Sequence, residues 1–345
     1  MSTPPDPVPP PPRALAATRW SVLDRALVRA GRPPAEALRG TVDFAREVER
    51  LGYHRFWVAE HHAVPGVAGA APTVLAAAVA SATSRIRVGT GGVMLPNHPP
   101  LVVAEQFGVL ASLFPDRIDM GLGRSVGFTG AVRRALGTER EAMEDFAAQL
   151  AELLRYFDGT GPVRAVPAQG VAVPAFVLAG RAGADTAADL GLPLVLAASA
   201  DRERTRQTAD RYRARFTPRT AGDRPRLLLA VNVAVAATEE EARRRQLPEA
   251  WAVVHSRTRG DFPPLPPPEE VAGRRLTERE DRYLGDALAG QVSGTEATVA
   301  ARLAELVAAT GAEEVMVTFA THDPAQQLDS YRRLARAVGI AGAGA

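Results

Sequence analysis

Residues 51–62 read Leu51-Gly-Tyr-His-Arg-Phe-Trp-Val-Ala-Glu-His-His62. The stretch closes one element, opens the next and ends in polar chemistry. Upstream, Leu38, Val42, Ala45, Val48 and Leu51 recur at the spacing of one helix face, which predicts a helix over Ala35–Leu51. Gly52 stops it. Phe56-Trp-Val-Ala59 is short and uninterruptedly apolar, as a strand buried on both faces must be. Beyond the histidines, Pro72–Thr83 reads as a second helix with proline near its start.

The same alternation continues on both sides. Trp20–Leu23 is expected as a first strand. After the second helix come strand Ile86–Thr90 with helix Leu101–Leu113, and strand Ile118–Leu122 with helix Glu139–Tyr156. Strand Phe176–Leu178 precedes helix Ala184–Leu190, and strand Leu194–Ala197 precedes helix Asp201–Arg215. Strand Leu227–Val235 leads into a helix from Glu239, and strand Val315–Phe319 into helix Ala325–Val338. Eight such units argue for parallel strands joined by right-handed crossovers, and a closed α/β (β/α)8 barrel, a TIM barrel, accounts for eight better than an open sheet does. The chain of 345 residues suits one such domain of about 250 residues with insertions. Residues 1–17 are expected to be a disordered proline-rich lead, and 18–340 the single domain. Residues 251–294 hold Pro263, Pro264 and Pro266 to Pro268, and are expected as an irregular insertion after strand seven, a candidate lid.

Composition removes several chemistries. There is no cysteine, so no disulfide, thiolate metal site or cysteine nucleophile is available. Every one of the 41 basic residues is arginine, which removes Schiff-base catalysis and the P-loop lysine. A net charge of +2 gives no reason to expect nucleic acid. No apolar run reaches the roughly 20 residues that cross a bilayer, and a cytoplasmic protein without membrane contact is expected.

In a barrel of this kind the chemistry sits where strands end. Strand two is followed by Glu60-His61-His62, whose adjacent histidines should point to opposite sides, so a shared metal is disfavoured and one histidine is expected to face the mouth. Strand three is followed by Gly89-Thr-Gly-Gly92, a backbone that a flat ring can approach closely or simply a tight bend. Strand four ends in Gly121-Leu-Gly-Arg124, where an arginine can grip a phosphate. Strand five is followed by Gly180-Arg181 at the start of a helix, either an anion site or a glycine-rich turn.

The run from Leu51 to His62, the run Ser84-Arg-Ile-Arg-Val-Gly-Thr-Gly-Gly-Val-Met-Leu-Pro96 and the run from Val103-Ala-Glu-Gln-Phe107 to Arg124 together resemble the bacterial luciferase-like flavin-dependent monooxygenases. The likeness is strong over about 20–125 and looser to Ile340. It implies a reduced flavin, usually FMN, that reacts with O2 to oxygenate a small organic substrate such as an aldehyde, with a flavin reductase as partner and source of reduced flavin. It further implies His61 beside the flavin as the catalytic residue, Arg124 on the flavin phosphate, and a cis peptide at Gly91-Gly92 beneath the ring. Trp57, Met94 and Phe128 are expected as a dry wall. Relatives also dimerise through the region of helices Pro72–Thr83 and Leu101–Leu113, here rich in small apolar residues such as Ala76, Ala77 and Ala80, so a homodimer is expected. The chain departs from the family at Ser125-Val-Gly-Phe-Thr129 and at Gly180-Arg181, both where phosphate should bind. Three alternatives therefore stand beside the FMN monooxygenase: an F420-dependent hydride-transfer enzyme on the same fold, a non-catalytic flavin-binding barrel, and a metal hydrolase using His61 and His62.

Overall fold

The computed structural model of the protein describes residues 12–340. Eight parallel strands close on themselves: β1 Arg19–Asp24, β2 Arg55–Val58, β3 Arg87–Thr90, β4 Ile118–Gly123, β5 Ala175–Ala179, β6 Leu194–Ala197, β7 Leu227–Val235 and β8 Glu314–Thr318. Val22 of β1 pairs with Phe56 of β2 on one side and Val317 of β8 on the other. Val315 of β8 pairs with Leu229 of β7, which completes the ring. The protein is a TIM barrel.

Helices that shield the strands bury the faces their periodicity announces. Helix Pro34–Arg50 turns Ala37, Thr41, Ala45 and Val48 inward. Inside the barrel the side chains stack in layers. The lower layer is ionic: Arg55 of β2, Asp119 of β4 and Glu314 of β8 are all buried, and they come from even-numbered strands, which place their inward residues at one height. Arg55 donates to Asp119 at 2.8 Å and also pairs with Glu314. Above them Trp57, Phe176, Val195, Leu228 and Met316 form an apolar plug. The Arg55 guanidinium lies 5.0 Å from the centre of the Phe176 ring, so the two layers are in contact.

Three expectations need correction. The lead was expected to be disordered to residue 17, but helix Arg13–Ala16 precedes β1, Leu15 is fully buried, and the Trp20 indole donates to the Leu15 carbonyl. Residues 1–11 lie outside the described residues. The helix expected over Glu139–Tyr156 starts only at Phe146 and runs to Asp158. Its apolar face is Phe146, Leu150, Leu153 and Leu154, whereas the charged run 139–145 has no such face and forms a 3-10 turn, Arg140–Met143. Residues 251–294, expected to be irregular, carry the end of helix Glu239–Arg259 and the helices Pro268–Ala272 and Glu278–Ala289. They have a small core of their own, Trp251, Val254 and Val271 packed with Leu276 and Leu284, which the proline count conceals. The excursion ends in a short strand, Val292–Gly294, paired to the end of β7. None of the described helices is long and apolar enough to cross a membrane.

Candidate active site at the barrel mouth

A cleft of about 580 Å³ opens at the C-terminal ends of β2 to β5. Ala59, Glu60 and His61 line it from behind β2, Gly91, Gly92 and Met94 from behind β3, and Gly123 and Leu178 from β4 and β5. A larger cavity, about 660 Å³, lies on the flank between helices Pro34–Arg50 and Pro324–Ala337. It contains Asp24 and Arg29 but none of the expected site residues, so the smaller cleft is the place where the chemistry gathers.

The floor of the cleft requires glycine. The Gly91–Gly92 peptide is cis. A Cβ on Gly91 would lie 2.7 Å from Leu23 Cδ1, and one on Gly92 would lie 2.8 Å from the Gly121 carbonyl oxygen. At Gly92 the obstacle is backbone and cannot give, while at Gly91 the Leu23 side chain would have to move, so the backbone packs close on the barrel end. Trp57, expected in the wall, lies under this floor: it is fully buried in the apolar plug, and its Cβ would be 3.1 Å from a Gly91 Cβ. Met94 and Phe128 do line the cleft.

His61 faces Phe128 in the cleft. Glu60 also lines the cleft, but its carboxylate is taken up elsewhere: His62, which is outside the lining, places Nε2 2.6 Å from Glu60 Oε1. His98 Nε2 reaches the same oxygen at 2.8 Å, and the Met94 amide donates to Glu60 Oε2 at 2.8 Å. Burial alone would raise the Glu60 pKa, but the bonds from His62 and His98 outweigh it and hold the carboxyl down at about 2. Burial pushes the His61 imidazole down to about 4, and Arg25 adds to that effect. His61 is therefore neutral near pH 7. Its Nδ1 is buried with no hydrogen-bond partner among the described residues. The metal-hydrolase pairing of His61 with His62 is not formed. The three groups that do converge, with ligand atoms within 4.8 Å of one another, are Glu60, His62 and His98.

The expected phosphate residues are distributed differently. Arg124 follows β4, is exposed, and is not part of the cleft lining. It does not pair with Asp119, which is held by Arg55 and Arg87. Gly180 caps helix Arg181–Asp189 just beyond β5, outside the lining, and the side chain of Arg181 lies outside the described residues. Two arginines that the sequence did not single out, Arg133 and Arg140, line the cleft instead. Arg133 donates to the carbonyl of Gly127 at 2.9 Å and so shapes the loop that departs from the family. Arg140 sits in the 3-10 turn and has no hydrogen-bond or ion-pair partner among the described residues.

The sequence model of the luciferase-like monooxygenases matches residues 18–314. The chain belongs to the luciferase-like monooxygenase family. An uncharacterised Bacillus subtilis protein, YvbT, is 39% identical over 324 residues, covering 92% of this chain and 96% of YvbT. A luciferase-like monooxygenase of Escherichia coli K12 is 36% identical over 90% of this chain and 94% of its own length. The crystal structure of apo-MsnO8 superposes with a TM-score of 0.82 at 36% identity, covering 94% of this chain and 99% of that one.

Proposed function

We propose that the protein is an FMN-dependent monooxygenase that takes reduced FMN from a separate flavin reductase and oxygenates a small, largely apolar substrate such as an aldehyde. The observation that carries this reading is the convergence, in one cleft, of a glycine floor, a neutral imidazole with a buried unpartnered nitrogen, and two arginines. These residues suit a flavin mononucleotide. Gly91 and Gly92 would support the ring, and Arg140, seconded by Arg133, would pair with the phosphate. When bound, the reduced flavin supplies the electrons that activate oxygen. The protein contributes the surroundings. Met94, Met143 and Phe128 keep water from the reacting centre. His61, neutral at physiological pH, can exchange a proton or hydrogen bond with the bound reactants.

Phe262 lies in the excursion after β7, and its ring meets Phe128 edge-on at 5.7 Å. Its carbonyl accepts from the Gly66 amide at 2.8 Å, which ties the excursion to the mouth beside the cleft as a lid would require.

Titration of the purified protein with FMN, riboflavin and F420 tests the cofactor, and oxygen uptake with reduced FMN plus a series of straight-chain aldehydes tests the reaction. FMN binding with aldehyde-dependent product supports the reading. Tight F420 binding without FMN binding assigns hydride transfer instead, and flavin binding without turnover assigns a non-catalytic barrel.

A further inference from the structure

We infer that Glu60 is the positioning residue of the cleft: its buried carboxylate clasps the loop after β2 to the loop after β3 and so sets His61 against the Gly91–Gly92 floor. The side chain of Glu60 is fully buried, and both of its oxygens are used. Oε1 accepts from His62 on its own loop and from His98 on the other, and Oε2 accepts from the Met94 amide. Each donor adjoins the site. His62 follows His61, Met94 lines the cleft, and His98 closes the turn that begins at Leu95. Two backbone bonds finish the arrangement, from the His61 amide to the Gly69 carbonyl at 2.8 Å and from the Gly91 amide to the Val58 carbonyl at 2.7 Å. With Glu60 and His62 fixed in the clasp and the His61 amide bonded to Gly69, the backbone that carries His61 is held on both sides of it.

A charge this deep needs every partner it has. A glutamine at position 60 would present one acceptor and one NH2 group. Turned one way, the NH2 faces the Met94 N–H, and turned the other way it faces both imidazole N–H groups. In the first orientation a donor opposes a donor, and in the second both imidazoles must give up their Nε2 protons, so either way the charge-assisted bonds that join the two loops are lost. The same three groups could ligate a metal ion, but their separations of 2.6 and 2.8 Å are hydrogen-bond lengths, and Glu60 Oε2 is already taken by an amide.

The binding readout rests on the flavin reading above, and the exchange readout does not. Wild type, Glu60→Gln, His98→Gln and His98→Leu are compared by flavin affinity, thermal midpoint and hydrogen exchange over residues 90–98. His98→Gln keeps an N–H donor and should bind FMN and riboflavin within about threefold of wild type. Glu60→Gln and His98→Leu should weaken both flavins in parallel by about tenfold, the scale of one lost charge-assisted bond, and should speed amide exchange at 90–98. Unchanged affinity with only a lowered thermal midpoint would overturn the inference, as would equal behaviour of His98→Gln and His98→Leu. If Glu60→Gln does not fold, the two His98 variants decide. If wild type binds neither flavin, the functional reading fails, and the exchange rates alone judge the clasp. Flavin affinity that falls with a chelator and returns with zinc would assign a metal site and overturn it too.

Discussion

The imidazole of His61 stacks on the ring of Phe128, with centroids 6.3 Å apart and planes 13° from parallel. Phe128 is 52% exposed, so it covers the catalytic candidate without being locked in the core. An aromatic contact of this kind contributes about 0.5–1.5 kcal/mol. Phe128→Ala is expected to raise KM for straight-chain aldehydes up to about tenfold and to change the FMN Kd less than threefold. A matching loss of FMN affinity would place Phe128 against the flavin rather than the substrate.

His61 also gives the protein a pH signature. Its folded pKa of about 4 lies below the ordinary 6.5, so the unfolded chain takes up a proton there first. The stability that His61 contributes is complete above about pH 6.5 and is lost as pH falls through 4. The thermal midpoint of wild type should therefore drop faster than that of His61→Gln over this window, and parallel curves would mean His61 is not buried as described. In oxygenation, His61→Ala should slow the rate about 100-fold to 10,000-fold while FMN binding changes little. An unchanged rate removes it from the mechanism.

The barrel was legible in the sequence because parallel strands are buried on both faces and read as bare apolar runs between amphipathic helices, as at Phe56–Val58 and Leu194–Ala197. The glycine cluster was legible because glycines gathered at a strand end mark a backbone that something approaches closely or a tight bend. The clasp was not. Glu60 and His98 lie 38 residues apart in loops, where no periodicity links them. Arg140 was hidden because the charged run 139–145 looked like the first turns of a helix. Trp57 was misplaced because both faces of β2 are buried, and nothing in its neighbours separates plug from wall. What sequence could supply at positions 60–62 was only the side-chain alternation of an extended strand, and β2 ends at Val58, before the histidines.

The ionic layer under the plug is a stability element. Arg55 is the shared partner of two buried carboxylates, Asp119 and Glu314. Removing one member of a buried pair typically costs about 3–5 kcal/mol, because the charges left behind stay desolvated. Arg55→Met is expected to destabilise the fold by that order in denaturant unfolding. A change below about 1 kcal/mol would show that water reaches the layer.

An exposed apolar patch predicts self-association. Val102, Val109 and Leu113 share one side of helix Pro100–Leu113, and Val74 lies on the adjoining helix, joined to it by the Thr73–Gln106 hydrogen bond. Leu113 is 64% exposed and Val74 70%. A surface of this kind marks a contact between molecules. Light scattering at micromolar concentration should give twice the mass of one chain, and Val109→Asp should reduce it to a single chain. A monomeric wild type would refute the dimer.

The phosphate contact separates two arginines. Both arginines are exposed, but Arg124, where the family resemblance puts the contact, lies outside the cleft lining, whereas Arg140 lines the cleft without a partner of its own among the described residues. A phosphate at the open end of the cleft would still be partly hydrated, so the guanidinium bond to it should be worth about 1.5 kcal/mol, near the lower limit for charged hydrogen bonds. Arg140→Ala is therefore expected to weaken FMN about tenfold, and Arg124→Ala less. Riboflavin has no phosphate and should bind wild type and both variants alike. This distinguishes the arginine from the Glu60 clasp, whose loss weakens both flavins together. Raising the salt concentration should narrow the gap between FMN and riboflavin in wild type and narrow it less in Arg140→Ala, where Arg133 alone remains. If Arg124→Ala shows the larger, phosphate-specific loss, the rim must close over the flavin on binding, and the resemblance, not the cleft lining, identifies the contact.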